Sequence, residues 1–278
     1  MASRAAKPDC YLIGEYWPIH GTNQAKTAAR LVQETEIDAV WNGAFHHVLE
    51  DCLLQTWQCE RQDVWRAWGG GFYSQGFAYA DQVVNYVVSH DERRPEHELQ
   101  YYAQHVGMED SSGQVPPASR WEIGMQKARL GLVLLVTAPG VPMLFAGQEF
   151  GADSPRTIDF WPLDWSRLDS PAGRAQLAFY RRLLALRQAH PALRSDHVEF
   201  YMDDFARYKV LRHKRWSEDD DVVVVAINFD CVLQPVGLGF PSNGDWQDAV
   251  SGQRVQVTTN WHDFVLPAWT SLVLTAVA

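Results

Sequence analysis

Cysteine is scarce in this chain, and the four that occur, Cys10, Cys52, Cys59 and Cys231, form no C-x-x-C pair. Neither a zinc ribbon nor a dithiol redox motif can be built from them. At 278 residues the chain is long enough to bury a sizeable core without disulfide staples. The expectation is therefore reduced thiols and a cytoplasmic setting. Positive charge is also short: 24 Lys and Arg stand against 34 Asp and Glu, a formal net charge of -10. That balance excludes the broad phosphate-tracking surface that nucleic acid requires. A membrane-spanning run is lacking as well, because the most apolar stretch, 130–147, is broken by Pro139, Gly140 and Pro142. The opening MASRAAKP has no apolar centre of the secretory type. It reads as the end of an amphipathic helix leading into a strand, as though the chain began mid-fold.

Tryptophan, by contrast, is abundant. Twelve indoles exceed what a core of this size needs, and flat aromatic rings stack on the apolar faces of sugars, so the excess points toward carbohydrate. Most of them are nonetheless expected in the core.

From residue 10 to about 190, short apolar runs alternate with stretches of helical periodicity, the pattern of an α/β fold with a parallel sheet. The strand candidates are CYLIG (10–14), IDAVW (37–41), VVNYVV (83–88) and VPMLF (141–145). The helix candidates are 23–34, 44–57, 96–106, 121–137 and 171–188; the last opens on Pro171, a residue suited to a helix start. Beyond His190-Pro191 the pattern changes. HVEFYM, ARYKVLRHKRW, DVVVVAINF, VLQPVGL and DFVLPAWTSLVLTAV read as strands, separated by turn formers such as SEDDD and PSNGD. The expected division is 1–192 for the α/β part and 193–278 for an antiparallel β-sandwich. The acidic run 218–221 is expected at a solvated hairpin tip.

Glu15 directly follows the apolar run YLIG, at the end of a strand where barrel enzymes display catalytic groups. A lone carboxylate there ordinarily caps a helix or faces water. A second strand changes that reading, because VVNYVV runs into Ser89, His90, Asp91 and Glu92, so two strands deliver acids to one rim. Trp17 and Trp41, close behind strand ends, are candidates to stack on sugar rings or to pack in the core.

YLIGE (11–15) and NYVVSHDE (85–92) resemble two signature regions of the α-amylase superfamily of glycoside hydrolases and transglycosylases. The likeness extends to IDAVW with the following AFHH, to PGVPMLFAGQE (139–149), and to IDFWPLDW (158–165) before RQAHPAL (187–193). It implies barrel strands five to eight of a (β/α)8 TIM-type barrel, then the C-terminal β domain. It also implies Glu15 as general acid/base, Asp91 as transition-state stabiliser and His90 as a hydroxyl-binding partner; Trp17, Trp41 and Glu92 stand beside them as candidate substrate contacts. The superfamily's nucleophile is an Asp on the fourth strand in a motif like G-x-R-x-D-A, and only fourteen residues precede Glu15. Asp38 follows Glu15 and lacks the preceding Arg, so it is no substitute. Inactivity of the chain on its own is therefore expected, with a separate N-terminal half-barrel or self-association as the expected partnership.

The His-Asp-Glu after Ser89 and the IDFWPLDW link resemble bacterial 1,4-α-glucan branching enzymes, which implies an α-1,4-glucan substrate. AVWNGAFHH also resembles maltooligosyl trehalose trehalohydrolases, and a plain α-amylase or a non-catalytic glucan-binding relic are the alternatives. No cofactor and no metal are expected. His46 and His47 lie near Cys52 and Cys59, but adjacent side chains diverge and no zinc spacing occurs. Gly69-Gly70-Gly71 has no following Lys-Ser/Thr and is no phosphate loop.

Overall fold

The computed structural model describes residues 2–17, 24–54, 64, 68, 76–91, 117–152, 162–202 and 205–277. After a short helix α1 (Ala2–Ala6) come four strands, β1 (Ile13–Gly14), β2 (Ala39–Trp41), β3 (Val83–Tyr86) and β4 (Val141–Met143). They pair in sequence order and all in parallel. Helix α2 (Gln24–Glu34) joins β1 to β2, α3 (Gly43–Leu54) follows β2, and α4 (Pro117–Thr137) precedes β4. Each strand is shorter than its apolar run, since only two to four residues of each run pair with a neighbour. The expected helix 96–106 and the Gly69–Gly71 loop lie outside the described residues.

The second half of α4 is apolar all round. Leu130 and Leu132 through Val136 are all buried, because α4 is covered by α3, by α5 (Pro171–Ala189) and by strands from the C-terminal part. Ser170 caps α5 by accepting the Gly173 N–H at 3.0 Å, and Pro171 opens it.

The C-terminal part is antiparallel. A six-stranded sheet runs in the order β10-β9-β12-β7-β6-β5, and a two-stranded sheet pairs β11 with β8. Their ranges are β5 Val198–Tyr201, β6 Val210–Trp216, β7 Val222–Asn228, β8 Gln234–Gly239, β9 Gly244–Asp248, β10 Arg254–Val257, β11 Trp261–Leu266 and β12 Ser271–Ala276. Strand β7 shows how the sheet is sandwiched. Val223, Val225 and Ile227 join the core built around α4. The alternate residues Val224 and Ala226 join a second core with Val236, Leu238, Trp246 and Leu266.

Four details depart from the sequence reading. The long run DFVLPAWTSLVLTAV is two strands, parted at Pro267, with Trp269 in the left-handed region at φ 55°. The start of ARYKVLRHKRW is helical, within α6 (Phe205–Tyr208), and the turn into β6 is made by Lys209 at φ 52°. Strands β9 and β10 have weak apolar content and went unread. Asp221, expected in a solvated tip, instead faces inward: it pairs with the His190 ring at 2.8 Å and accepts the Ala192 N–H at 3.0 Å.

The cysteine expectation also needs correcting. Cys52, at the buried end of α3, is disulfide-bonded, whereas Cys10 and Cys231 carry thiols. Length alone does not decide pairing. Among the described residues, no helix is long and apolar enough to cross a membrane.

Two arginines, one from each part, meet the C-terminus of α4, where helical carbonyls need partners. Arg187 of α5 donates to the carbonyls of Val136 and Gly140, both at 2.6 Å. Arg215 of β6, fully buried, donates to Thr137 O at 2.6 Å, Ser195 O at 2.6 Å and His197 O at 2.9 Å. Burial, and then the neighbouring Arg187, push the Arg215 guanidinium down to about 9.

Candidate active site

The parallel pairing puts the C-terminal ends of β1 and β3 on one rim, two strands apart. Glu15 follows β1, while His90 and Asp91 follow β3 after a buried Ser89. One donor atom from each of Glu15, His90 and Asp91 lies within 4.8 Å of the other two, and all three side chains are exposed. His90 Nε2 stands 3.5 Å from Asp91 Oδ1. The Asp91 N–H donates to Ser89 Oγ at 3.2 Å, which fixes the turn that presents the acid.

Aromatic side chains wall the rim. The Trp17 indole N–H donates to Glu15 Oε1 at 3.0 Å. Its ring lies over Gly43: a Cβ at that position would come within 2.6 Å of the ring, so only glycine lets the indole settle there. The edge of Trp41 meets His90 with centroids 5.8 Å apart, and Trp41 also packs on Tyr86 at 5.4 Å. Trp17 and Trp41 thus both touch the acidic rim, while Glu92 lies outside the described residues.

Beneath the rim is a polar brace that sequence reasoning missed. Buried Asn42 donates from Nδ2 to Asn85 Oδ1 at 2.9 Å, and Asn85 donates to Pro139 O at 2.8 Å. The chain links the ends of β2, β3 and β4. The signal was present in VVNYVV, since an amide inside a buried strand must find partners. Chemically, the rim offers a carboxyl able to carry a proton, a second acid beside an imidazole able to grip hydroxyls, and flat rings on which a sugar can rest.

No protein-family profile matches the chain. In sequence it is 32% identical to α-amylase MalA of Haloarcula japonica over 136 residues, 48% of this chain and 19% of that protein. It is 37% identical to an isoamylase of Flavobacterium sp. over 101 residues, 34% of this chain and 12% of that one. It thus spans a minor part of the length of the curated relatives it matches. Among solved structures, a pullulanase from Anoxybacillus sp. LM18-11 complexed with maltotriose superposes with a TM-score of 0.71 at 18% identity, covering 99% of this chain and 40% of that one. The chain is therefore similar to α-amylase-superfamily enzymes in sequence over about half its length, and nearly all of it is matched in fold by part of the pullulanase.

Proposed function

We propose that this chain forms part of a retaining α-glucan-active enzyme of the glycoside hydrolase and transglycosylase type, with residues 1–192 as partial catalytic barrel and 193–278 as accessory β domain. Glu15 acts as general acid/base, Asp91 stabilises charge on the sugar ring, and His90 holds a hydroxyl. Trp17, Trp41 and Glu92 contact the glucan. The observation that carries the reading is the convergence of Glu15, His90 and Asp91 within 4.8 Å at one strand-end rim. The two acids are closer than the about 6.5–9.5 Å at which an inverting pair holds a water, so they do not form an inverting pair by themselves. Double displacement needs a further carboxylate beneath the anomeric carbon. In this reading that acid comes from outside residues 1–278, either along a longer polypeptide or from a partner chain, and the 278 residues alone do not turn over glucan.

The acceptor decides between transfer and cleavage. Transfer to a glucan 6-hydroxyl, as in a branching enzyme, is favoured by SHDE and IDFWPLDW. Cleavage by water is favoured by the two curated relatives, named α-amylase and isoamylase. In an assembly supplied with the missing acid, Glu15→Gln keeps the shape but removes the proton. It should lower turnover of amylose by about 10²–10⁴-fold. Reducing-end release reports hydrolysis, and iodine-spectrum shifts without new reducing ends report branching. Unchanged turnover in Glu15→Gln overturns the assignment.

A further inference from the structure

A crevice of about 330 Å³ opens where α4 and α5 meet the β domain, bounded there by the turn after β9 and the connection from β11 to β12. It shares no residue with the acidic rim. Its volume falls in the range of small-molecule sites. The walls are largely apolar, with Leu130, Phe179, Leu266 and Trp269, all buried, on the inner side.

One cation lines this apolar space. The guanidinium of Arg129, from α4, is oriented on two sides: Nε donates to the buried Gln176 Oε1 at 3.0 Å, and the Phe179 ring lies 5.2 Å from Cζ. An arginine has five N–H donors, so those on the two terminal nitrogens keep no protein acceptor among the described residues. No carboxylate answers the charge either. The neighbouring charge is Arg182 of α5, and burial, then Arg182, push the Arg129 guanidinium below its ordinary value. An arginine nonetheless stays charged at neutral pH. Arg182 donates to Val250 O at 2.6 Å, which sets a second positive group beside the crevice wall. Asp248 also lines the crevice, but it is 1% exposed, and its oxygens accept the N–H groups of Val250, Ser251 and Val273 and the Ser251 hydroxyl. Taking a guanidinium out of water without a counter-ion is costly, and an anion beside it offsets that cost.

We propose that this crevice binds a small organic anion, a carboxylate on an apolar body, with the carboxylate on the terminal nitrogens of Arg129 and the body against Phe179, Leu266 and Trp269. The planar guanidinium fork matches the two oxygens of a carboxylate. The apolar walls favour a carbon body over a bare inorganic anion, which would gain nothing from them. A neutral sugar would leave the cation unanswered. Arg129 and Phe179 belong to the α/β part and Leu266 and Trp269 to the β domain, so the occupant is held by both and stabilises their contact. The site stands whether or not the acidic rim acts on glucan.

The test is calorimetric titration of the 278-residue chain with naphthoate, and with naphthamide as its uncharged counterpart. The expected result is one naphthoate per chain, a raised melting temperature, and binding of naphthamide weaker by about 10-fold or more. Arg129→Gln should weaken naphthoate by about the same factor and leave naphthamide unchanged. Leu272→Trp, which fills the crevice with Arg129 still in place, should abolish both. Circular dichroism checks that each variant is folded; if Arg129→Gln is not, Leu272→Trp carries the test. The proposal is overturned by absence of saturable binding, by equal affinity for naphthoate and naphthamide, or by unchanged naphthoate affinity in either folded variant. Displacement of naphthoate by maltotriose also overturns it, and would make the crevice a sugar site.

Discussion

The two parts of this chain cover their strands by different means. In the β domain, β7 is buried on both faces, one against α4 and the other against the β8–β11 pair. In the parallel sheet, β3 is equally buried, but at the β1 end of the sheet Tyr11 and Ile13 remain 45% and 48% exposed, and β4 is half-buried. Every strand of the β domain pairs within residues 198–276, across a short hairpin for β6 and β7 and a longer connection for β7 and β12, whereas barrel strands depend on strands distant along the polypeptide. The β domain therefore completes itself, and the acidic rim sits on the less complete of the two parts.

Four substitutions bear on that contrast, the largest effect first. Arg215→Ala should strip three carbonyls of their donor and open a cavity between the parts. A loss of about 3–5 kcal/mol in urea unfolding is expected, and a loss below about 1 kcal/mol would mean the two parts are not joined through this residue. Ile227→Ala, on the α4-facing side of β7, should cost about 2–5 kcal/mol. Equal effects from Ile227→Ala and from the matching change at Ile13 would dissolve the distinction between the sheets.

The third concerns pH. His213 is fully buried between the parts, its Nε2 3.1 Å from Thr137 Oγ1, whose hydroxyl in turn donates to Val133 O. Burial, and then Arg215, hold its imidazole down to about 3. The unfolded chain takes up that proton below about 6.5 and the folded chain only near 3, so stability is full above pH 6.5 and falls as pH drops toward 3. About 2 kcal/mol should go between pH 7 and 5. His213→Gln keeps a donor without the titration and should flatten that limb, as read by unfolding at the two pH values; an unchanged limb would assign the acid sensitivity elsewhere. Smallest is Ile13→Ala, which at its exposed position should shift stability by no more than about 0.5 kcal/mol.

Strand order and the meeting of Glu15 with His90 and Asp91 were legible because each depends on local apolar runs and on what immediately follows them. The brace through Asn42 and Asn85 was not, since a single amide in a strand announces a need without naming its partner. Asp221 was misread for a related reason. Its three acidic neighbours look solvated as a group, yet this one carboxylate reaches back 29 residues to the turn at Ala192. Adjacency in sequence does not supply side-chain directions either, and so it missed that the rings of His46 and His47 stand 5.1 Å apart on α3. Strands β9 and β10 escaped because their residues sit toward the solvent end of the sheet and carry little apolar alternation.

The double burial of β7 has a consequence for how the sheet finds its alignment. With apolar residues on both faces, a slip of one position still places hydrophobic groups on each side, so hydrophobicity gives little protection against misregister. What a slip cannot preserve is Asn228. Its amide reaches the carbonyls of Val232, Leu266 and Pro267 at 2.9–3.2 Å, and its Oδ1 accepts the Asp230 N–H at 2.9 Å. Displaced by one residue, that amide would be stranded in the core. A single polar side chain at the strand's end thus acts as the detent for seven residues, and Asn228→Leu, though more apolar, is the substitution expected to yield misaligned sheets and aggregates on refolding.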